Sequence, residues 1–417
     1  MEYVPRVIDS VVESQLKAAG AVLIRGPKGC GKTETGRHHS RSELAVEDNP
    51  RVRAAMEAEP GLLLRGETPR LIDEWQVQPR IWNAVRREVD RRHAKGKFIL
   101  TGSSTPPKKV RETLHSGVGR FGLIDMRTMS WAELGWSEGT VRLADLAQGK
   151  PVQPTESDLD LDSLADHLAV GGWPGSLGLG QAAAEEANAN YFELLVESDA
   201  SRARGVRRDP AKIRATLESL ARNVSTEASL ATLASDAGGA AGPLADQTIA
   251  DYLEAFRELM VLEDLPAWNT HIRSSARLRK RPKWHLADPS LCCAALGLTP
   301  PQLVADLEYM GLLFESAVIH DLRVYATSTR GRVSYYRDSN GLEADAIIEF
   351  PRYGWIACEI KLGFGAADRA AESLKRFAAN IDQARVGPPA ALLVITGSGL
   401  AHTRPDGVHI VPMGCLA

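Results

Sequence analysis

Cysteines are few in this 417-residue chain, and they follow no metal-binding or disulfide spacing. The five cysteines form an odd set without a C-x-x-C pair. This argues against a disulfide framework and against a structural zinc site. We therefore expect a protein of a reducing, cytoplasmic compartment. The adjacent His38 and His39 are expected on the surface, and no zinc is assigned.

Long apolar runs are also missing. No segment approaches the roughly 20 uninterrupted apolar residues of a membrane span, and the N-terminal stretch MEYVPRVIDSVVES lacks the apolar core of a signal peptide. We expect a soluble protein with no membrane partner. The formal net charge is only −3, so any surface for nucleic acid must come from local basic clusters.

The composition is that of a globular protein, with 44% apolar and 25% charged residues. The length predicts two to four domains of roughly 100–200 residues each. The segment 139–160 is rich in Gly, Pro, Gln and Asp and is the best candidate for a domain boundary. We predict an ATPase-like unit at 1–140, a helical connector at 161–300 and a third unit at 301–417.

Strands alternate with helices in the N-terminal third. Apolar runs at Ala21–Ile24, Arg70–Asp73 and Lys97–Thr101 read as buried strands, and helical patterns run from Lys32 to about Leu44 and onward from Pro79. This alternation predicts an α/β fold with a mostly parallel sheet, whose ligands bind at the carboxyl ends of the strands.

A complete phosphate-binding loop lies between the first strand and its helix. The stretch from Gly26 to Thr33 matches G-x-x-x-x-G-K-[ST], in the strand–loop–helix context that the motif requires. Its backbone N–H groups are expected to cradle phosphates, while Lys32 adds positive charge and the Thr33 hydroxyl can ligate Mg²⁺. The predicted nucleotide-binding residues of the loop are Gly26, Pro27, Lys28, Gly29, Cys30, Gly31, Lys32 and Thr33.

Polar residues at the ends of the next two strands complete the predicted nucleotide site. Asp73 is placed to hold Mg²⁺ through water, and Glu74 to orient or deprotonate an attacking water. Thr101 or Ser103 is expected to contact the γ phosphate or that water. Arg120 is a candidate for the guanidinium that stabilises the transition state, in cis or from a neighbouring subunit, although a surface arginine is an equally good interpretation.

The middle region has apolar positions at helical spacing. Three helices are predicted at Ile213–Val224, Leu230–Ala237 and Gln247–Leu259, and a β-wing at Val261–Trp268, an order that suits a winged helix. Two basic clusters flank it, and next to a phosphate-handling site they favour salt-sensitive nucleic-acid binding over ordinary solvated surface. Their members are Arg202, Arg204, Arg207, Arg208, Lys212 and Arg214, then Arg273, Arg277, Arg279, Lys280, Arg281 and Lys283.

The last hundred residues predict a small α/β domain of order α-β-β-β-α-β. Asp345 falls on one strand of a hairpin, and the period of two puts Glu359 and Lys361 on one face of the next strand. Two carboxylates on neighbouring strands can hold a divalent metal that activates water, and a lysine can stabilise the developing charge. Glu315, on the preceding helix, could complete the cluster. A solvated cross-strand charge pair is the alternative.

Two resemblances follow from these motifs. GPKGCGKT, LIDEWQ, ILTGSS and GRF…MSWAEL resemble the N-terminal module of bacterial AAA-type ATPases that carry a C-terminal domain of formerly unknown function. HLAVGGWPG and LLFESAVIHDL resemble the opening and the later helix of that second domain, so the resemblance covers nearly the whole chain. It implies ATP binding and hydrolysis, and it allows a homo-oligomer.

The arrangement of Glu315, Asp345 and Glu359-x-Lys361 resembles the PD-(D/E)xK nuclease superfamily. This resemblance implies a restriction-endonuclease-like α/β domain and cleavage of DNA or RNA with Mg²⁺ or Mn²⁺ at Asp345 and Glu359. Ala344 stands where the name-giving proline would be, a position that varies in the superfamily.

Together these patterns predict an ATP-hydrolysing enzyme coupled to a metal-dependent nuclease, with DNA favoured over RNA. The competing hypothesis is an ATP-dependent switch that binds nucleic acid or protein and carries an inert nuclease-like domain. A small-molecule kinase is disfavoured, because no acceptor pocket can be named and Asp73-Glu74 suits water.

Overall fold

The computed structural model describes residues 2–47, 49–103, 114–201, 208–269, 281–338 and 341–417. Its first unit is built on a five-stranded parallel sheet of strand order β2-β3-β4-β1-β5. The strands are β1 (Ala21–Arg25), β2 (Ser42–Ala45), β3 (Arg70–Asp73), β4 (Phe98–Gly102) and β5 (Phe121–Asp125). The helices are α1 (Asp9–Ala18), α2 (Lys32–His38), α3 (Pro50–Ala58) and α4 (Arg80–Arg92).

This sheet agrees with the predicted parallel α/β class, but one helix is shorter than predicted. The helix that begins at Lys32 ends at His38, and Ser42–Ala45 forms the edge strand β2 instead of extending the helix to Leu44. Pairing of β2 with β3 outweighs the helical propensity of Glu43, Leu44 and Ala45. β5, on the opposite edge, was not predicted.

The segment predicted as a linker is not a free boundary. After α5 (Trp131–Leu134) and α6 (Leu143–Ala147), residues Thr155–Ser157 form β6, which pairs antiparallel with β13 (Gly399–Thr403) of the C-terminal sheet. The Val141 N–H also donates to the Cys415 carbonyl at 2.8 Å. The Gly, Pro, Gln and Asp composition predicted a domain boundary here, yet Val141, Leu143 and Leu146 are buried in the largest apolar core and β6 forms the edge of the C-terminal sheet.

The middle unit is helical, with a two-stranded antiparallel hairpin. Its helices are α7 (Leu161–Val170), α8 (Gln181–Leu194), α9 (Pro210–Arg222), α10 (Leu230–Gly238) and α11 (Asp246–Glu258), and a π-helical turn, Leu195–Ala200, follows α8. The hairpin strands are β7 (Leu262–Leu265) and β8 (Lys283–Leu286). Three helices followed by this hairpin agree with the predicted order, and their classification as a winged helix stays a prediction.

The C-terminal unit is a seven-stranded mixed sheet of order β6-β13-β14-β12-β11-β10-β9. Its central strands are β9 (Arg332–Arg337), β10 (Glu343–Phe350), β11 (Gly354–Lys361) and β12 (Ala391–Thr396), and β14 (His409–Pro412) adds to the strands predicted. The helices α12 (Ser290–Leu296) and α13 (Pro300–Ala305) pack against helices of the middle unit. The helices of the C-terminal unit are α14 (Leu307–Thr327), α15 (Ala367–Asn380) and α16 (Gln383–Val386). Leu313 and Phe314 of α14 are fully buried in the largest apolar core, and α15 packs on the sheet through Leu374 and Phe377.

Single 3-10 turns connect several of these elements. They are Pro60–Leu64, Trp75–Val77, Pro174–Ser176, Gly239–Ala241, Phe364–Ala366 and Met413–Cys415. Within the described ranges, every helix is too short or too polar to cross a membrane.

Candidate functional site

The phosphate loop occupies the turn from β1 into α2, where its glycines are needed. Gly29 and Gly31 have φ angles of 77° and 99°, a region that side chains with a Cβ rarely adopt. A Cβ at Gly26 would lie 2.2 Å from the Met126 carbonyl oxygen, so only glycine fits there. The loop backbone is therefore free to turn its N–H groups toward a ligand at the start of α2.

Lys32 lies inside this loop. Its ammonium donates to the carbonyls of Gly26 and Pro27 at 3.0 and 2.7 Å, and only 5% of the residue is exposed. The Cys30 thiol is fully buried, and burial raises its pKa, so Cys30 contributes its backbone rather than its sulfur to the loop. Lys28 instead reaches the helical unit, where it pairs with Asp199 at 2.8 Å.

Asp73 joins the loop to the two neighbouring strands. Its Oδ1 accepts a hydrogen bond from the Thr33 hydroxyl at 2.9 Å and another from the fully buried Thr101 hydroxyl. A hydroxyl and a carboxylate side by side are oxygen donors of the kind that Mg²⁺ prefers. Thr101 is thus placed to fix Asp73 rather than to meet a phosphate.

Glu74 adopts a left-handed backbone conformation, with φ 52° and ψ 46°. Such a conformation costs of order 1–3 kcal/mol for a residue with a Cβ and persists only where the surroundings impose it. Its carboxylate accepts hydrogen bonds from the Gln76 amide and, at 3.2 Å, from the Ser103 hydroxyl. Ser103 therefore lies at the nucleotide site, as predicted, and its hydroxyl holds the Glu74 carboxylate by a hydrogen bond.

Arg120 is the predicted site residue that the chain keeps away from the loop. It immediately precedes β5, at the amino-terminal end of the edge strand that pairs with β1, and about 16 Å along the strand direction from the phosphate loop. There its guanidinium pairs with Asp90 at 2.8 Å. The expectation that Arg120 acts in cis is therefore wrong, because β5 runs parallel to β1 and begins where β1 begins. Action on a neighbouring subunit stays a prediction.

Sequence reasoning missed Arg6. This arginine is 8% exposed, forms an ion pair with Glu133 at 3.1 Å, and donates to the Cys30 carbonyl at 3.1 Å. Its Nη1 also lies 3.3 Å from the position of a Cβ at Gly31. Arg6 therefore supports the loop from behind, and no spacing rule relates it to the loop in sequence.

A cavity of about 750 Å³ opens in front of these residues. It is bounded by the phosphate loop and Asp73 on one side and by Tyr3, Pro174 and Leu177 on the other. The helical unit thus contributes one wall of the nucleotide cavity, which composition did not predict.

A second charged cluster lies in the C-terminal unit. β10 and β11 bring Asp345 against Glu359 and Lys361, as predicted. The Lys361 ammonium lies 2.7 Å from a Glu359 oxygen and 3.3 Å from an Asp345 oxygen, and the Ile360 N–H donates to Asp345 at 2.8 Å. Glu315 of α14 belongs to the same cluster, because both it and Asp345 contact one further lysine, Lys283.

The charges in this cluster perturb each other. Burial, and secondarily the Asp345 carboxylate, raises the pKa of Glu359 to about 7, and burial raises the pKa of Glu315 to about 7 as well. Burial alone would lower the pKa of Lys361, but the Asp345 and Glu359 carboxylates outweigh it and raise that pKa. Crowded, buried carboxylates of this kind mark candidate functional sites and attract cations.

Lys283 belongs to this cluster, although the sequence predicts it in a basic cluster for nucleic acid. Its ammonium lies 2.7 Å from Glu315 Oε1 and 4.0 Å from Asp345 Oδ1. It is contributed by β8 of the middle unit. A lysine so far from the Glu-x-Lys motif in sequence carries no signal that would connect the two.

Three described members of the basic clusters are engaged within the chain. The Arg208 side chain is 2% exposed and binds both carboxylate oxygens of Asp251, so it is not placed to neutralise phosphates, contrary to expectation. Arg214 pairs with Glu193, and Lys283 belongs to the carboxylate cluster. Lys212 and Arg281 are exposed, and nucleic-acid binding by these clusters stays a prediction. The other members, at 202–207 and 270–280, lie outside the described residues.

Asp9, His38 and His39 are grouped with their candidate ligand atoms within 4.8 Å of one another. His38 is exposed as predicted, but the His39 side chain is only 8% exposed. Asp9 already accepts hydrogen bonds from the Tyr3 hydroxyl, the Arg6 N–H and His39 Nε2 at 2.7, 2.7 and 3.0 Å. Because the Asp9 carboxylate already accepts these three hydrogen bonds, we interpret the group as a structural contact that holds the N-terminal segment against the end of α2.

Three family models match separate parts of the chain. Residues 18–135 match the AAA domain. Residues 161–302 match a domain of unknown function (DUF8612), and residues 310–416 match another (DUF4143).

Relatives and solved structures extend these matches. The chain is 28% identical over 342 residues to an uncharacterized protein of Mycobacterium tuberculosis, Rv2008c, and to Mb2031c of Mycobacterium bovis, covering 80% of this chain and 68% of each relative. The Walker-type ATPase PABY2304 of Pyrococcus abyssi is 12% identical, with TM-score 0.44 over 70% of this chain and 96% of that one. AMPPCP-bound DnaA from Aquifex aeolicus is 16% identical, with TM-score 0.24 over 60% of this chain and 86% of its own.

The AAA match and the complete phosphate loop together support ATP binding and hydrolysis by the N-terminal unit, which is a domain of the P-loop ATPase kind.

Proposed function

We propose that this chain couples ATP hydrolysis to metal-dependent cleavage of nucleic acid, with DNA favoured over RNA. The observation that carries the nuclease half is the cluster of Asp345, Glu359 and Lys361, brought together from two strands beside Glu315. Separate clusters suited to phosphate chemistry thus occupy the two ends of the chain, and a function that uses both explains their coexistence.

At the nucleotide site, each residue has a proposed role that its contacts support. The loop backbone and Lys32 bind the phosphates, and Thr33 with Asp73 would hold Mg²⁺. Glu74 orients the attacking water as general base, and Ser103 keeps Glu74 in place.

At the C-terminal cluster, Asp345 and Glu359 would hold Mg²⁺ or Mn²⁺, since their oxygens suit hard cations. A bound divalent ion supplies a water of lowered pKa and neutralises charge on the phosphodiester. Lys361 would stabilise the negative charge that develops on the phosphoryl oxygens as water attacks phosphorus and the sugar oxygen leaves, and Glu315 completes the acidic wall. Burial raises the pKa of Glu315 and Glu359, and a bound dication would compensate for the burial of their charges.

A chain of contacts supports coupling between the two sites. Met126 packs its carbonyl against Gly26 of the phosphate loop, and the next residue, Arg127, pairs with Glu263 of β7 at 2.9 Å. Glu263 also pairs with Arg323 on α14, the helix that carries Glu315 two turns earlier. We propose that a nucleotide-dependent movement of the phosphate loop shifts the ion pairs of Glu263 with Arg127 and Arg323, and thereby the position of α14 at the C-terminal cluster.

The second candidate is an ATP-dependent switch with an inert C-terminal fold, which binds nucleic acid or a protein partner. Lys283 favours this alternative, because it places an ammonium among the carboxylates that would hold a metal. Calorimetry distinguishes the two. A Mn²⁺ site that disappears in Asp345→Ala supports the nuclease, whereas the lack of any such site supports the switch.

The proposal is tested with labelled single- and double-stranded DNA and RNA, with and without ATP, in Mg²⁺ or Mn²⁺. Lys32→Ala should lose ATP turnover, because the phosphates lose their ammonium partner. Glu359→Gln should lose cleavage but keep ATP turnover, since the change removes one charge and conserves shape. Glu349→Gln, farther along the same strand as Asp345, is the matched control. Cleavage that survives Glu359→Gln would eliminate the proposed site.

A further inference from the structure

The carboxylate cluster already contains a cation from another module. Lys283 begins strand β8 of the middle unit, yet its ammonium lies between Glu315 at 2.7 Å and Asp345 at 4.0 Å. Its side chain is 14% exposed, as is that of Asp345, and Glu315 is 13% exposed. The lysine is therefore inserted into the site, rather than lying across its mouth.

The charges nearly balance with Lys283 in place. Three carboxylates (Glu315, Asp345 and Glu359) face two ammonium groups (Lys283 and Lys361). Burial disfavours the charged lysine, but Glu315 and Asp345 outweigh it and raise the pKa of Lys283, so the ammonium stays charged. Removing Lys283 would leave a buried excess of negative charge, which is costly unless another cation replaces it.

A divalent ion held by Asp345 and Glu359 would share one carboxylate cluster with the Lys283 ammonium, which lies 2.7 Å from Glu315 and 4.0 Å from Asp345. Mg²⁺ and Mn²⁺ bind carboxylate oxygens at about 2.0–2.2 Å, whereas the ammonium of Lys283 now occupies hydrogen-bond distance from Glu315. Two cations on one carboxylate edge would repel each other strongly in a site of low dielectric.

We infer that Lys283 is a displaceable internal cation that regulates metal binding at the C-terminal cluster. With Lys283 inserted, the site binds a divalent ion weakly, and withdrawal of Lys283 strengthens that binding. This inference rests on the proposed metal site, but it does not require that the site cleave nucleic acid.

The surroundings of Lys283 connect this exchange to the middle unit. The adjacent Trp284 donates its N–H to the Thr226 carbonyl at 3.1 Å and accepts from the Ser225 N–H at 2.8 Å, which fixes the hairpin to the turn after α9. The same hairpin carries Glu263, directly opposite His285 in register, and Glu263 contacts Arg127 of the ATPase unit. A shift of the hairpin would therefore act on both Lys283 and the contact to the nucleotide domain.

Calorimetric titration of the full chain with Mn²⁺ tests the inference. Lys283→Met should bind Mn²⁺ about tenfold or more tightly than the wild type, because the competing ammonium is gone and the shape is similar. Adding Asp345→Asn to Lys283→Met should abolish that binding. Lys375→Met, on the exposed face of α15, is the control and should match the wild type. Unchanged or weaker Mn²⁺ binding by Lys283→Met would overturn the inference.

A second measurement on the wild type avoids dependence on the folding of a variant. Amine-specific labelling followed by mass spectrometry should show Lys283 reacting faster as Mn²⁺ saturates the protein, with Lys375 as internal reference. An unchanged labelling rate under saturation contradicts displacement. If Lys283→Met binds Mn²⁺ tightly but cuts nothing, the nuclease proposal fails and the exchange stands. If metal-dependent cleavage occurs but Mn²⁺ does not change the labelling of Lys283, the nuclease proposal stands and the exchange fails.

Discussion

At the scale of single residues, Glu74 shows how function and strain coincide. Its left-handed backbone directs the carboxylate toward Ser103 and Gln76, beside the Asp73 that meets the phosphate loop. The conformation is costly for any residue other than glycine or asparagine, which supports the role proposed for this carboxylate.

Glu74→Gln should preserve ATP binding and lower turnover by roughly 10²–10⁴-fold, because an amide cannot accept the proton of an attacking water. Nucleotide affinity by fluorescence and phosphate release by a coupled assay would separate the two effects. Glu67→Gln, on the exposed loop before β3, is the control. Turnover near the wild-type rate in Glu74→Gln would remove Glu74 from the role of general base.

Several site residues could be predicted because their chemistry follows local spacing. The glycines of the loop, the acids that end β3 and the alternation of Glu359 and Lys361 each reflect geometry within one element. Lys283 and Arg6 could not be predicted in this way. Each reaches its site from a different module, and only tertiary packing puts its side chain there.

At the scale of elements, the short helix α5 shows how a cap can position a distant side chain. The Ser130 hydroxyl accepts from the Glu133 N–H at 3.4 Å, and the Glu133 carboxylate accepts from the Ser130 N–H at 2.8 Å, which is a capping box. The same carboxylate pairs with Arg6 at 3.1 Å, so the cap also supports the phosphate loop.

Ser130→Ala should lower the free energy of unfolding by about 1 kcal/mol, the usual cost of a lost cap. Glu133→Ala should cost more, about 3 kcal/mol, since it leaves the buried Arg6 guanidinium without its carboxylate. Urea denaturation of both variants, with the exposed Glu138→Ala as control, gives the comparison. If both variants lost the same free energy of unfolding, the ion pair between Arg6 and Glu133 would not contribute to stability beyond the cap.

The elements that the sequence did not reveal share a physical cause. β2 has helix-forming residues and is a strand only because β3 lies beside it, and β6 exists only because β13 offers an edge. In contrast, β9 to β12 carry strong alternating or continuous apolar patterns, and the structure has the three strands, the helix and the further strand that the sequence predicts.

At the scale of the whole molecule, Glu263 joins all three units. Its carboxylate meets Arg127 of the ATPase unit and Arg323 of the C-terminal unit. Burial opposes ionisation of Glu263, but the two guanidinium groups outweigh it and lower its pKa to about 2 from a usual 4.5. The charged form is therefore favoured by folding, and its contribution to stability is complete above pH 4.5 and is lost as the pH falls toward 2.

Glu263→Gln should destabilise the protein by roughly 2–3 kcal/mol at pH 7, because two guanidiniums lose a charged partner. The stability difference between wild type and variant should narrow as the pH is lowered below 4.5, since the Glu263 carboxyl then binds a proton in the unfolded wild type, whereas in the folded protein it stays charged until the pH approaches 2. Denaturant midpoints from pH 7 to pH 3 would measure it. A gap that is independent of pH would mean that the ion pairs are not its source.

Residues 155–157 form an edge strand of the C-terminal sheet, and this matters for any truncated fragment that contains the C-terminal unit alone. A recombinant fragment that starts at residue 301 would lack this strand and would expose the bare backbone of β13, a template on which neighbouring copies can align. Aggregation of such a fragment would reflect this exposed edge and not a property of the full-length chain. Fusing residues 136–157 to this fragment through a short flexible linker should prevent the aggregation, because the missing edge strand then covers β13.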